Sequence, residues 1–177
     1  MTTTPLRIAA VAAVLCLPLG ASADHLTEWT FPLTTAQTNP PASFPGGATL
    51  PSGLASVVID SDAMTISWDV DYQDLTGPIV APGAHFHGPA MLGANAGVQI
   101  FLSDGDPPEP ASGNLSGMAA LSNEQLSDVL GGLWYLNIHT GDNMSGELRG
   151  QVVPEPATLL LLASAAGLAT TARCRRG

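Results

Sequence analysis

Three histidines are placed where they could bind a metal ion. His85 and His87 flank Phe86, and His139 follows in a second segment of β character. Residues two apart in a strand project from the same face, so His85 and His87 would lie side by side. Imidazole nitrogens are ligands of copper and zinc, and three of them leave one coordination position open. The spacing predicts that the three histidines converge on a site for one copper or zinc ion.

A purely structural role is the alternative interpretation of the same residues. Strand histidines can hydrogen-bond to carboxylates or carbonyls, and Asp142 and Glu147 are close to His139 in the sequence. Glu147 and Arg149 lie two residues apart on one predicted strand face, so they are expected to form an ion pair. A histidine that is satisfied by such neighbours needs no metal. The sequence leaves both interpretations open.

Other patterns offer less chemistry. Asp104-Gly105-Asp106 has the form of a short calcium-binding sequence, but no twelve-residue EF-hand loop ending in glutamate follows it. Asp69 and Asp71 are expected on the solvent face of a strand, and His25 is expected to be exposed. The chain offers no Ser-His-Asp order and no cysteine suited to nucleophilic attack. Catalysis is therefore not expected.

The strands that would position these residues show two-residue alternation. The clearest case is the set of apolar residues that alternates with polar ones at Ile66, Trp68, Val70 and Tyr72. Trp68 and Trp134 fall on apolar faces, so both are expected in the core. Residues 133–139 and 147–153 predict a hairpin around residues 141–143. Shorter β candidates are residues 53–60, 85–88, 98–102 and 114–119.

One helix is expected within this β-rich chain. Ser122 and Gln125 have the spacing of a capping box, and Gly131 is placed to end the helix. Its apolar stripe would consist of Leu126, Val129 and Leu130. Residues 35–47 and 104–112 are rich in proline, glycine and polar residues and predict loops. Many short strands with polar outer faces predict an all-β fold, an antiparallel β-sandwich with one short helix.

The charge of the central region excludes some partners. Residues 24–153 contain 14 of the 15 acidic residues, all except Glu155. They contain only one of the five basic residues, Arg149, so the region has a net charge of −13. Such a surface repels nucleic acid and anionic lipid, so no nucleic-acid partner is expected. Cys16 and Cys174 fall in the terminal segments, so the central region contains no disulfide and must be stabilised by its core or by a metal.

The N-terminal residues have the pattern of a secretory signal peptide. Arg7 precedes an apolar stretch at residues 8–19, and Ala21 and Ala23 supply small residues before a cleavage site. Twin arginines are not present in this segment. Residues 1–23 therefore predict export by the Sec route and removal by signal peptidase, which leaves residues 24–153 as the exported domain.

The C-terminal residues, 154–177, combine three elements. Pro154-Glu155-Pro156 comes first, an apolar run at residues 159–169 follows, and an arginine cluster at residues 173–176 comes last. The run predicts a short transmembrane helix held by arginines that resist crossing the bilayer. This order resembles the PEP-CTERM sorting signal of Gram-negative bacteria. The resemblance implies an inner-membrane-anchored intermediate, processing by an exosortase-type enzyme, and delivery to the cell surface or to an extracellular matrix that contains exopolysaccharide.

The central region resembles a known family through three motifs. They are His85-Phe86-His87-Gly88, the WYLNIHT segment at residues 134–140, and the GELRGQ segment at residues 146–151. In this order they resemble the CHRD domain, first described in chordin, over residues 25–152. The H-x-H-x-G order is also similar to the copper-ligand strand of Cu/Zn superoxide dismutase. The resemblance implies a superoxide-dismutase-like or immunoglobulin-like sandwich, but four histidines are too few for a two-metal dismutase.

Two functional hypotheses follow. The first is an exported, envelope-anchored module with a non-enzymatic binding or structural role. The second is a small metalloprotein that binds copper or zinc through the three histidines. One form of this hypothesis makes the protein redox-active. Metal analysis separates the two.

Overall fold

The computed structural model describes residues 25–153, which form one antiparallel sheet with a single α-helix. The eight strands run in the sheet order β5-β4-β7-β8-β1-β2-β3-β6, and the terminal strands β5 and β6 approach each other, so the sheet nearly closes on itself. The all-β prediction is therefore confirmed. In chain order the elements are β1 (Leu26–Thr34), a 3-10 turn (Thr35–Gln37), β2 (Ser52–Asp60), β3 (Thr65–Gln73), β4 (Ile79–His87), β5 (Val98–Ser103), β6 (Gly113–Ala120), α1 (Asn123–Leu130), β7 (Trp134–Thr140) and β8 (Leu148–Val152).

Strand β3 shows how alternation builds the core. Its apolar side chains point inward and are buried, whereas Asp69 and Asp71 are exposed and accept hydrogen bonds from Asn114. Across the core, the ring of Trp68 meets Phe86 of β4 edge-on, with 5.8 Å between ring centroids. A Cβ atom on Gly117 would lie only 2.5 Å from the Trp68 ring, so glycine makes room for the indole. The predicted phase of β3 is confirmed.

Strand β1 was not expected from the sequence. Trp29, Phe31 and Leu33 alternate in the strand pattern and are buried, and the strand pairs with β2 along its whole length. Pro32 is exposed between Phe31 and Leu33 and leaves the alternation intact, although proline disfavours strand interiors because it lacks an N–H donor. On its other side β1 pairs with β8 only at Thr34↔Arg149, so the ladder between β1 and β8 is very short.

The helix has the predicted caps. The Gln125 backbone N–H donates to the Ser122 hydroxyl at 3.1 Å, and the Ser122 N–H donates to the Gln125 side chain at 3.0 Å. Gly131 ends the helix as expected. Of the predicted apolar stripe, Val129 is buried, whereas Leu130 is 40% exposed. The buried face of the helix is therefore narrower than predicted.

The predicted terminal segments lie outside the described residues. These are the signal peptide with Ala21 and Ala23, and the sorting segment with Pro154, Glu155 and Pro156 together with its transmembrane run. Within residues 25–153, no helix is both long and apolar enough to span a bilayer.

Candidate metal centre

The sheet places the three histidines together on its outer face. His85 and His87 come from β4, and His139 comes from β7, the neighbouring antiparallel strand. The ring centroid of His85 lies 4.5 Å from that of His87 and 4.7 Å from that of His139. One ring nitrogen from each residue lies within 4.8 Å of the other two. Two bonds of about 2.0–2.1 Å to a shared ion span at most about 4.1 Å, so nitrogens 4.8 Å apart must approach by at least roughly 0.7 Å on binding.

This face is buried although it points away from the apolar core. Strands β7 and β8 are buried at every position, because their inward side chains meet the core and their outward side chains are covered by loops. The outward residues form a polar layer, which consists of His85, His87, Tyr135, Asn137, His139, Arg149 and Gln151. The loop between β4 and β5 covers this layer, since its residues 94–96 bond to Arg149 and His87.

Two of the histidines are oriented by backbone carbonyls. The Nδ1 atom of His87 lies 2.9 Å from the Ala96 carbonyl oxygen, and that of His139 lies 2.8 Å from the Met144 carbonyl oxygen. A carbonyl can only accept, so each Nδ1 carries the proton and donates. Each Nε2 is then left with a free lone pair, which is the arrangement that second-layer hydrogen bonds give to metal-ligating histidines.

The remaining ring nitrogens have no partners. The Nε2 atoms of all three histidines, and also Nδ1 of His85, are buried and make no hydrogen bond to any of residues 25–153. A buried polar atom without a partner costs about 1–3 kcal/mol. The structural interpretation therefore accounts for only two of the six nitrogens. At His139 the partner is the Met144 carbonyl and not the carboxylate of Asp142 or Glu147, so the structural alternative holds at this nitrogen through a carbonyl.

Burial holds the histidines in the neutral form. The pKa of His85 is lowered to about 3, mainly by burial and in smaller part by the neighbouring rings of His139 and His87. Burial is also the main cause that lowers the pKa of His87 and of His139. Neutral imidazole is the form that ligates a metal, so protons do not compete for these nitrogens at neutral pH.

We expect the metal-free protein to lose stability as the pH falls below about 6.5. Unfolded histidines bind protons near that pH, but the folded cluster does not, so acid favours the unfolded chain. The loss continues towards pH 3 for His85, because protonation of its folded form begins there. Each histidine that is protonated only when unfolded removes about 1.4 kcal/mol per pH unit. Urea unfolding with a chelator at pH 7, 6 and 5 measures the slope.

The matched variant for this experiment is His85→Gln. It should reduce the slope between pH 6.5 and 5 by one histidine's share, at most about 1.4 kcal/mol per pH unit, while His87 and His139 keep theirs. Side-chain carboxylates contribute little in this range because their ordinary pKa values are near 4. A wild-type free energy of unfolding that is constant from pH 7 to pH 5 would contradict the burial of neutral histidines.

Aromatic and cationic side chains complete the surroundings of the cluster. The Tyr135 ring stacks parallel on His87, with 4.7 Å between centroids, and the guanidinium carbon of Arg149 lies 3.5 Å from the Tyr135 centroid. One ring face cannot hold both partners, so Tyr135 lies between the histidine and the cation. The Phe101 ring meets His85 edge-on at 5.2 Å. Sequence reasoning missed these roles of Tyr135, Arg149 and Phe101.

The predicted ion pair between Glu147 and Arg149 is wrong. Glu147 precedes β8 and accepts hydrogen bonds from the side chains of Thr76, Thr140 and Asn143 and from the Thr76 backbone N–H. Arg149 instead donates to Asn95 at 2.8 Å and to the Ala94 carbonyl at 2.5 Å. Within residues 25–153, the salt bridges are confined to exposed His25 with Asp60 and Asp62. Arg149 is thus a buried cation that no carboxylate of residues 25–153 neutralises directly.

In the part of the chain that the structure describes, carboxylates do not form a comparable cluster. Asp104 is exposed and accepts a hydrogen bond from the Asp106 backbone N–H at 3.1 Å, a local turn contact. Of the residues that the structure describes, only the three histidines bring at least three histidine, cysteine or acidic ligands together. The predicted copper or zinc ligands are therefore the best-formed candidate site in residues 25–153.

Comparison with known proteins identifies two regions of the chain. The family model described as CHRD domain matches residues 29–152, which include all three histidines. The model described as PEP-CTERM protein-sorting motif matches residues 152–176, which include Pro154, Glu155 and Pro156. No curated protein and no solved structure shows significant similarity to the chain.

Proposed function

Because the chain belongs to the CHRD-domain family and carries a PEP-CTERM sorting motif, we propose that it is an exported module that binds one copper or zinc ion. The ligands are His85, His87 and His139. The observation that carries this proposal is the set of buried, unpartnered nitrogens on three neighbouring rings. Coordination would satisfy those nitrogens and offset their desolvation.

Binding fits the site better than catalysis does. The ligand nitrogens are buried beneath the β4–β5 loop and beside Phe101, so a substrate has no direct path to a bound ion. A catalytic metal needs an open position for water or substrate. This burial supports a non-enzymatic role, in which the ion is held or supports the folded domain.

The sorting motif indicates export and processing at the membrane by an exosortase-type enzyme. The finer route is part of our proposal. Residues 1–23 direct the chain to the Sec pathway and are removed by signal peptidase after Ala23. Residues 154–177 hold an inner-membrane intermediate, and cleavage then releases the domain of residues 24–153 to the cell surface or to an exopolysaccharide-containing matrix.

We expect the released protein to end near Pro154-Glu155-Pro156. Cleavage there removes the apolar run and the arginines, so released material should lack them, whereas membrane-bound material keeps them. Mass spectrometry of the two fractions measures the C-terminal residue. A Glu155→Ala variant should stay in the membrane fraction. Released protein that still ends in Arg176-Gly177 would show that the segment is not a processed sorting signal.

The metal-binding proposal is tested on purified protein beside a His87→Ala variant. One equivalent of copper or zinc should bind to the wild type and raise its melting temperature, because an ion bound only by the folded state adds to folding stability. The variant should show neither effect. Equal binding by both proteins would place the ion elsewhere, for example on the acidic surface.

A further inference from the structure

The burial of the histidine nitrogens restricts how many ligands an ion could have. Three nitrogens are available, and among residues 25–153 no fourth histidine, cysteine or acidic residue gathers with them. The ligand nitrogens are closed to solvent, with the Phe101 ring against His85 and the Tyr135 ring against His87. Water therefore cannot supply a fourth ligand without local opening. Zinc bound by three residues takes water or substrate as its fourth ligand. Monovalent copper, a d¹⁰ ion of lower charge, is stable with three ligands.

The charge around the cluster also favours a monovalent ion over a divalent one. Three neutral imidazoles do not offset the charge of an ion, and the buried cation of Arg149 lies on the far side of the Tyr135 ring from His87. Its partners, Asn95 and the Ala94 carbonyl, are neutral. Arg149 therefore repels each positive charge added at the cluster. A divalent ion experiences twice the repulsion of a monovalent one.

We propose that the site selects monovalent copper, Cu(I), over Zn(II) and Cu(II). The inference rests on the proposed metal-binding function and adds the identity and charge of the ion. Exclusion of a fourth ligand disfavours zinc, and the neutral ligand set beside a buried cation disfavours both divalent ions. No electron transfer is required, because the ion enters and leaves as Cu(I).

The test is a set of anaerobic titrations of the full-length chain, purified in mild detergent, with Cu(I), Cu(II) and Zn(II) in competition with a chromophoric chelator. We expect one equivalent of Cu(I) to bind at least about a hundredfold more tightly than Zn(II), because zinc lacks its fourth ligand. Binding that survives in His87→Ala is subtracted as surface binding. Tighter binding of Zn(II) or Cu(II) than of Cu(I) would overturn the selectivity while leaving the metal site intact. The absence of all histidine-dependent binding would overturn the metal site itself.

Two variants separate the causes. Phe101 is 55% exposed, so Phe101→Ala should fold, admit water beside His85 and reduce the preference for Cu(I) over Zn(II) at least tenfold. Arg149→Gln should reduce the preference for Cu(I) over divalent ions by roughly tenfold, the size expected for one unit charge at about 10 Å in a protein medium. Gln73→Glu makes the same change in net charge at an exposed position on β3, four strands along the sheet from β7, and should have no effect. Selectivity unchanged by both Phe101→Ala and Arg149→Gln would overturn the proposal.

Discussion

Replacing Trp134 by alanine is expected to lower the free energy of unfolding by about 3–5 kcal/mol. The side chain is fully buried, its ring lies 5.9 Å from that of Phe86, and the backbone of Gly88 lies against the indole so closely that any Cβ atom there would collide. The surroundings are backbone and a neighbouring ring, so they cannot collapse into the vacated space. Since domains of this size are stable by roughly 5–15 kcal/mol, the variant should unfold easily or fail to accumulate.

The matched control is Met118→Ala, which shortens a side chain on β6 that is 68% exposed. Its free energy of unfolding should stay within about 0.5 kcal/mol of the wild type. Urea unfolding followed by circular dichroism measures both variants. A Trp134→Ala protein as stable as Met118→Ala would show that the core is not packed around this indole.

Local pattern was sufficient for much of the fold. The alternation in β3 and the capping box of α1 are both short-range features, and the structure contains both. Strand β1 was missed although Trp29, Phe31 and Leu33 carry the alternation; its Pro32 is a residue that disfavours strand interiors. The residue types were informative there, but whether a proline is tolerated depends on which neighbour the strand pairs with, and this is a property of the whole sheet.

The candidate site was also predictable only in part: the positions of the histidines were predicted, but their surroundings were not. The two-residue spacing of His85 and His87 was enough to place their rings side by side, and face parity put His139 on the matching side of β7. The surroundings depend on sheet order and loop packing. Glu147 and Arg149 are two residues apart and were predicted to form an ion pair. Glu147 instead precedes β8 and bonds to Thr76, 71 residues away, and Arg149 bonds to Asn95, 54 residues away. Contacts over such separations have no local sequence pattern.

Loss of metal on removal of one histidine is the other large effect we expect. In His87→Ala, the ion would keep two nitrogen ligands from different strands, and the cavity left by the imidazole would admit water in place of a ligand. Stoichiometric binding should therefore be lost. Asp69→Ala is the matched control, because it removes an exposed acidic side chain that contributes only to the general attraction of cations.

The central claim is tested most directly by the metal content of the purified protein after it is loaded with copper or zinc and dialysed against buffer with a weak chelator. We predict one ion per chain for the wild type and for Asp69→Ala, and less than a tenth of an ion for His87→Ala and His139→Ala. Circular dichroism before loading checks that the variants are folded. A wild-type protein that retains no ion, or histidine variants that retain as much as the wild type, would contradict the assignment of His85, His87 and His139 as a metal site.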